Sequence, residues 1–103
     1  MLPKTASLDD YQKLISRLVL ERGFEKETPS EVFTLLIEEL GELAKAMRKA
    51  SGMKTGGHSK THNLEEEAAD VFWLLMDLCN RLDINLYSAF KDKEKKNQAR
   101  TWQ

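Results

Sequence analysis

The chain has 103 residues, of which 41% are hydrophobic, and a net charge of −1 from 16 basic and 17 acidic side chains. This length predicts one domain over residues 1–103 with a small core, so we expect self-association. Balanced charge gives no positive field, which argues against a stable nucleic-acid complex. No apolar run approaches the roughly 18–20 residues of a membrane span, and the N-terminus lacks an apolar signal core. The single cysteine, Cys79, has no disulfide partner in the chain, so we expect a cytoplasmic protein with no membrane contact.

Capping signals and apolar spacing predict helices along the whole chain. The first helix begins after Ser7, carries apolar residues at helical spacing and ends near Gly23. Thr28-Pro29-Ser30-Glu31 starts the second, which runs to about Ala50. Asn63 caps the third, which ends near Asp83, and a break at 84–85 leads into a fourth with a charged end at 91–100.

These elements predict an all-α fold, a bundle of about four helices with antiparallel neighbours. The sequence shows no alternating strand pattern and no internal repeat. Residues 51–62 hold three glycines, two lysines and two histidines without periodicity, which predicts a mobile loop between the second and third helices.

The second and third helices each carry acidic residues on or beside their apolar face. On the second helix, a helical projection predicts a core arc of Val32, Leu36, Leu40, Leu43 and Met47. Glu39 lies at the edge of this arc, Glu42 follows one turn later, and Glu38 points to nearly the opposite side.

The third helix repeats the pattern. A stripe formed by Leu64, Ala68, Val71, Leu75, Leu78 and Leu82 contains Glu67, and Asp70 lies on its flank. Carboxylates near a core repel one another unless a cation compensates them. Oxygen ligands without histidine or cysteine at helical spacing favour Mg²⁺, with Mn²⁺ as a possibility, over zinc.

Two other interpretations of the acids stay open. An acid pair at i, i+3 is usually a solvated helix face paired with lysines. A di-iron carboxylate bundle ranks lower, because it needs Glu-x-x-His pairs on its helices and both histidines here lie in the loop.

The segments Glu38-Glu39-Leu40-Gly41-Glu42-Leu43 and Glu67-Ala68-Ala69-Asp70-Val71 resemble the paired acid motifs of the MazG-like all-α nucleotide pyrophosphohydrolases. The resemblance covers roughly residues 28–100, including the apolar run 72–78 and the basic segment 93–100. It implies hydrolysis of a nucleoside triphosphate to the monophosphate and pyrophosphate. It also implies magnesium held by the residues matching Glu39, Glu42, Glu67 and Asp70.

The resemblance further implies roles for other residues. Glu38 or Glu39 would orient or deprotonate the attacking water, and Trp73 would stack on the base, although an aromatic core residue is the commoner role. Residues near the end of the fourth helix would approach phosphate or sugar, or would form only a solvated basic tail: Lys93, Lys96, Asn97 and Arg100. A homodimer or homotetramer would complete the base pocket. Independently of the resemblance, residues of the loop could close over phosphate, although such a loop is more often simply disordered: Lys54, His58, Lys60 and His62, with Gly52, Gly56 and Gly57 as pivots.

Two further functions compete with this expectation. Phosphoribosyl-ATP pyrophosphatase has a similar fold and similar acids. A non-catalytic helical dimerisation module would carry the acids only as surface decoration and would bind a partner through its apolar helix faces.

Overall fold

A computed structural model describes residues 2–52 and 64–100. These residues form four helices, α1 (Leu8–Glu21), α2 (Pro29–Ala50), α3 (Leu64–Arg81) and α4 (Leu86–Gln98), and contain no strand. The all-α prediction is confirmed. Asn63, the histidines and lysines of the predicted loop, its glycines 56 and 57 and the tail at 101–103 lie outside the described residues.

The helix starts are set by the predicted capping residues. At α1, the Ser7 hydroxyl accepts a hydrogen bond from the Asp10 amide at 3.2 Å, while the Asp10 carboxylate accepts from the Ser7 amide at 2.8 Å. Thr28 and Glu31 make the same reciprocal pair at α2, at 3.2 and 3.0 Å. Each pair satisfies backbone amides that have no hydrogen-bond partner within the helix. This local pairing explains why both helix starts could be predicted from the sequence.

Helix α3 lies centrally and packs against both α1 and α2, while α4 packs against α1. The core between α1 and α3 contains Ile15, Val19 and Met76, the last fully buried. Tyr11 meets Phe72 edge to face, with ring centroids 5.3 Å apart. Cys79 is buried as predicted, and this burial raises the pKa of its thiol.

The core face of α2 differs from the predicted arc in its second half. Val32 and Leu36 are buried as predicted, but Leu40 and Met47 are 42% and 53% exposed and Ala46 is buried instead. The line that faces the core therefore runs through the buried positions 32, 36 and 46 and the half-buried positions 39 and 43, a 4-3-4-3 spacing typical of two helices packed along their length. We call it the buried line. Glu39 lies within this line, not at its edge.

The predicted core stripe of α3 is only partly correct, because Leu75 packs against the core and Val71 and Leu78 are half-buried, but the stripe omits the most buried residues of this helix. Its buried residues are Met76, Asp77 and Cys79, with Phe72 packed alongside, whereas Ala68 and Leu82 are exposed. The buried face of α3 was hard to predict because this helix contacts helices on two sides and is apolar around most of its circumference. A helix of this kind has no single apolar stripe from which the buried face can be chosen.

A polar network joins three of the helices at the end of the bundle where α3 leads into α4. The buried Gln12 side chain donates from Nε2 to Asn80 Oδ1 and to the Ile84 carbonyl, both at 2.9 Å. Its Oε1 accepts from the Leu86 amide at 2.9 Å. Because each polar atom of the buried amide has a partner, the network fixes α4 to α1 and α3 without an unsatisfied group.

Among the helices of residues 2–52 and 64–100, none combines the length and the apolar character needed to span a bilayer.

Candidate active site

Three carboxylates from α2 and α3 meet at one point of the helix interface. Glu39, Glu67 and Asp70 each offer one oxygen atom, and these three atoms lie within 4.8 Å of one another. Glu39 comes from the buried line of α2, while Glu67 and Asp70 lie one turn apart near the start of α3. We call these three residues the acid cluster. Packing of α2 on α3 creates it, because no single helix carries all three.

The acid cluster perturbs the ionisation of Glu39. Its pKa is raised, first by partial burial, then by a hydrogen bond to Glu67, and further by the negative charges of Asp70, Glu67 and Glu42. A hydrogen bond between two carboxyl groups needs one proton, which Glu39 donates when protonated. The Oε2 atom of Glu67 is shielded from solvent. At neutral pH the cluster therefore has an electrostatic cost that a bound cation would offset.

The donor set of the cluster suits a hard divalent cation. It consists only of carboxylate oxygens, and they come close enough to share one ion. Mg²⁺ commonly takes a few carboxylates and leaves its other positions to water and phosphate oxygens. The residues present therefore fit the metal that the sequence predicted.

The other two predicted acids lie beside the cluster rather than within it. Glu42 is half-buried and pairs weakly with Lys45, whose Nζ lies 4.0 Å from Glu42 Oε1. Its charge still acts on Glu39, so Glu42 lies near the cluster without belonging to it. Glu38 is exposed on α2, as expected from its position on the helix.

A pocket of about 350 Å³ opens directly beside the acid cluster. It contains Glu39 and Asp70 at one side, and its remaining walls come from residues of α2, α3 and the segment that follows α1: Leu35, Trp73, Leu74, Arg22 and Phe24. The Arg22 guanidinium carbon lies 5.9 Å from the centre of the Trp73 ring. Carboxylates next to aromatic and aliphatic walls suit a ligand with a phosphorylated end and a planar apolar end.

Arg22, Leu35 and Leu74 were not among the predicted site residues. Arg22 follows the last residue of α1, immediately before Gly23, whose φ of +77° turns the chain out of the helix. This glycine was visible in the sequence, but the direction in which the turn sends Arg22 depends on how α1 packs on α3. The predicted Trp73 does line the pocket, which leaves its stacking role open as a prediction.

The four predicted residues of the fourth helix lie away from this pocket in their own chain. Lys93, Lys96 and Asn97 belong to α4 and Arg100 follows it, and no described residue of α4 is among the pocket walls. Asn97 donates a long hydrogen bond of 3.4 Å to Glu94. A separate open cleft of about 540 Å³ between α1, α3 and the start of α4 contains no member of the acid cluster.

Comparisons with family models, with curated proteins and with solved structures agree. The sequence matches the family model of the MazG nucleotide pyrophosphohydrolase domain over residues 27–102. It is 32% identical over 84 residues to the uncharacterized protein YpjD of Bacillus subtilis strain 168, which covers 81% of this chain and 76% of the relative. A crystal structure of YpjD from Bacillus subtilis, described as a proposed pyrophosphatase, superimposes with a TM-score of 0.81 at 31% identity, covering 96% of this chain and all of the other.

Proposed function

Because the chain belongs to the MazG nucleotide pyrophosphohydrolase family, we propose that it hydrolyses nucleoside triphosphates, ribo or deoxy, to the monophosphate and pyrophosphate with Mg²⁺. Mn²⁺ is the alternative metal. The physiological role would be removal of unwanted nucleotides or control of the nucleotide pool, in the cytoplasm.

One observation carries this proposal: the acid cluster and the pocket share two residues. Glu39 and Asp70 belong to both. A nucleotide whose phosphates lie at the acids would therefore extend its base toward Trp73 and Phe24. An ordinary acidic surface patch has no such adjoining cavity, and a non-catalytic module would have no need to place a carboxylate, Glu39, on the buried line of α2.

We assign the metal to Glu39, Glu67 and Asp70, with Glu42 as the fourth ligand. Mg²⁺ bound there would neutralise charge on the phosphate oxygens and would lower the pKa of a bound water. Among the protein groups, Glu38 and Glu39 are the candidates for orienting or deprotonating the attacking water. Glu38 is exposed and would act by orienting groups at the edge of the site.

At the other end of the pocket, Trp73 provides a surface for base stacking. Lys93, Lys96, Asn97 and Arg100 would supply cationic and amide donors to phosphate or sugar. No described residue of α4 lines the pocket beside the acid cluster of the same chain. We therefore propose that these residues act at the equivalent pocket of a second copy.

A row of exposed apolar residues on α2 supports such an assembly. Phe33, Ile37, Leu40 and Met47 are 52%, 50%, 42% and 53% exposed. They lie one position beyond the buried line and repeat its 4-3 spacing, with Ala44 completing the row. Apolar residues at this spacing along a helix are typical of a seam between packed helices. We propose that this row, the α2 outer row, forms the interface of a homodimer or homotetramer.

A nucleotide panel with product identification tests the function. Canonical, deoxy and damaged triphosphates are incubated with Mg²⁺ or Mn²⁺, and products are separated by anion exchange. Formation of monophosphate plus pyrophosphate is expected for at least one substrate. No turnover of any nucleotide with either metal would refute the proposal, and exclusive turnover of phosphoribosyl-ATP would replace it with the related activity of histidine synthesis.

A further inference from the structure

The turn between α1 and α2, residues 22–28, supplies two walls of the pocket without belonging to either helix. Arg22 lies over Trp73 and Phe24 lines the cavity beside it. The turn makes only local backbone hydrogen bonds of its own, including Phe24 amide to Val19 carbonyl at 2.9 Å and Glu27 amide to Phe24 carbonyl at 3.2 Å. Contacts with α3 must therefore set the distance of these walls from the acids.

Arg81, the last residue of α3, makes those contacts. Its Nη2 donates to the Phe24 carbonyl at 2.8 Å, and its Nη1 donates to the carbonyl of Glu27 and, at 3.5 Å, to that of Glu25. Three carbonyls of one short turn thus bind one guanidinium. The planar fork of arginine can serve several acceptors at fixed angles, which a lysine ammonium on a flexible stem does not reproduce.

The guanidinium is itself anchored on α3. Its Nε donates to Asp77 Oδ1 at 2.9 Å, and the two side chains are only 11% and 4% exposed. Asp77 lies one turn after Trp73 and two turns after Asp70, on the helix that carries most of the site. A charge pair buried to this degree holds its geometry, because breaking it would leave an uncompensated charge away from water. The pair therefore fixes the turn to the helix that bears the acids.

We propose that Arg81, anchored by Asp77, is a positioning residue for substrate binding: it holds Arg22 and Phe24 of the α1–α2 turn as the base-facing wall of the nucleotide pocket. The substrate part of this inference rests on the proposed function. Arg81 contacts no member of the acid cluster in the described structure, so its loss should weaken nucleotide binding more than it slows the chemical step.

Arg81→Lys is the decisive variant. It keeps a cation beside Asp77 but loses the forked guanidinium that donates hydrogen bonds to the carbonyls of the turn. Gln12→Ala is the matched control: it removes a buried hydrogen-bonding side chain from the α1–α3–α4 network, where its partner Asn80 is the neighbour of Arg81 on α3, and no hydrogen bond of Gln12 involves the turn. All forms carry Trp102→Phe, which leaves Trp73 as the only tryptophan.

Two readouts are compared. In nucleotide hydrolysis, Arg81→Lys is expected to raise KM about five- to twentyfold with kcat changed less than about twofold, while Gln12→Ala leaves KM within about twofold. In acrylamide quenching of Trp73 fluorescence, Arg81→Lys is expected to increase the quenching constant because Arg22 no longer covers the ring, and Gln12→Ala is expected to leave it unchanged.

Equal KM and quenching changes in both variants would show a general loss of stability and overturn the inference. So would unchanged values in Arg81→Lys. If the parent protein hydrolyses no nucleotide, the proposed function fails, and the quenching comparison still decides whether Arg81 positions the wall over Trp73.

Discussion

Removal of one charge from the acid cluster should make the metal-free protein more stable and abolish its response to Mg²⁺. The variant is Glu67→Gln, which keeps the size of the side chain and the hydrogen bond with Glu39. Two unit charges at the 4.8 Å limit of the cluster repel by about 3 kcal/mol at an effective dielectric constant of about 20. The exposure of Asp70 and the proton shared between the two glutamates reduce this, so we expect a net gain of about 1 kcal/mol in the unfolding free energy.

Mg²⁺ should stabilise the parent protein much more than it stabilises Glu67→Gln, which reverses the order of stability expected without metal. If the parent protein binds Mg²⁺ with a Kd of about 0.1 mM, about 10 mM Mg²⁺ stabilises it by about 2.7 kcal/mol. For a domain of this size about 1 kcal/mol corresponds to roughly 4–8 °C in Tm. The parent protein should therefore melt more than about 10 °C higher with Mg²⁺, whereas Glu67→Gln should melt slightly higher without metal and gain little from it.

Differential scanning fluorimetry at pH 8, with and without Mg²⁺, measures both effects. The control is Glu65→Gln, which removes the same charge from an exposed position in the first turn of the same helix. This control should retain the full Mg²⁺ shift. A Glu67→Gln protein that is stabilised by Mg²⁺ as strongly as the parent would show that the cluster is not the metal site.

Three other outcomes follow from the same structure. The folded state raises the pKa of Glu39 above its ordinary value of 4.5. The stability that protonated Glu39 contributes is therefore present below that value and is lost as pH rises through the raised pKa. Urea unfolding of the metal-free protein at several pH values from about 5 to 8 should show falling stability, and Mg²⁺ should reduce the fall. Ile37→Asp on the α2 outer row should lower the molar mass measured by light scattering. The control Leu20→Asp, at a position 66% exposed on α1, should leave the molar mass unchanged. Equal masses for the two variants would show that the α2 outer row is not an interface. Trp73→Ala should raise KM for nucleotides about tenfold, as expected for loss of about 1–2 kcal/mol of stacking. Trp73→Phe should recover most of the lost affinity. A lower kcat with unchanged KM would instead show that Trp73 supports the acid cluster.

The elements of this protein were predictable because their signals are local. The capping boxes at Ser7 and Thr28 and the glycine after α1 act within four residues, so their effect on the backbone does not depend on the rest of the fold. The acids were identifiable for a related reason. Glu67 falls inside an apolar helical stripe and Glu39 at the edge of another, and two such acid pairs on two helices favour a compensating cation over a solvated face.

The faces of the helices were harder to predict. On α2, two apolar lines run side by side, and nothing in the sequence says which one meets α3 and which one stays exposed. On α3, apolar residues occupy most sides of the helix between Val71 and Cys79, and the stripe chosen from the pattern included Leu75 but missed the most buried residues, Met76, Asp77 and Cys79. Both ambiguities arise because apolar spacing marks the sides of a helix that can be buried without saying which neighbour covers each side.

By itself, the sequence determined four helices, their starts and ends, and a set of acids that a folded chain tolerates best around a cation. Only the tertiary structure decided that Glu39, Glu67 and Asp70 converge while Glu42 lies beside them, and that Arg22 and Phe24 close a pocket next to them. The physical reason is the range of the forces involved. Caps and helical periodicity act between neighbours in the chain, whereas the cluster and the pocket exist only after α1, α2 and α3 have packed together.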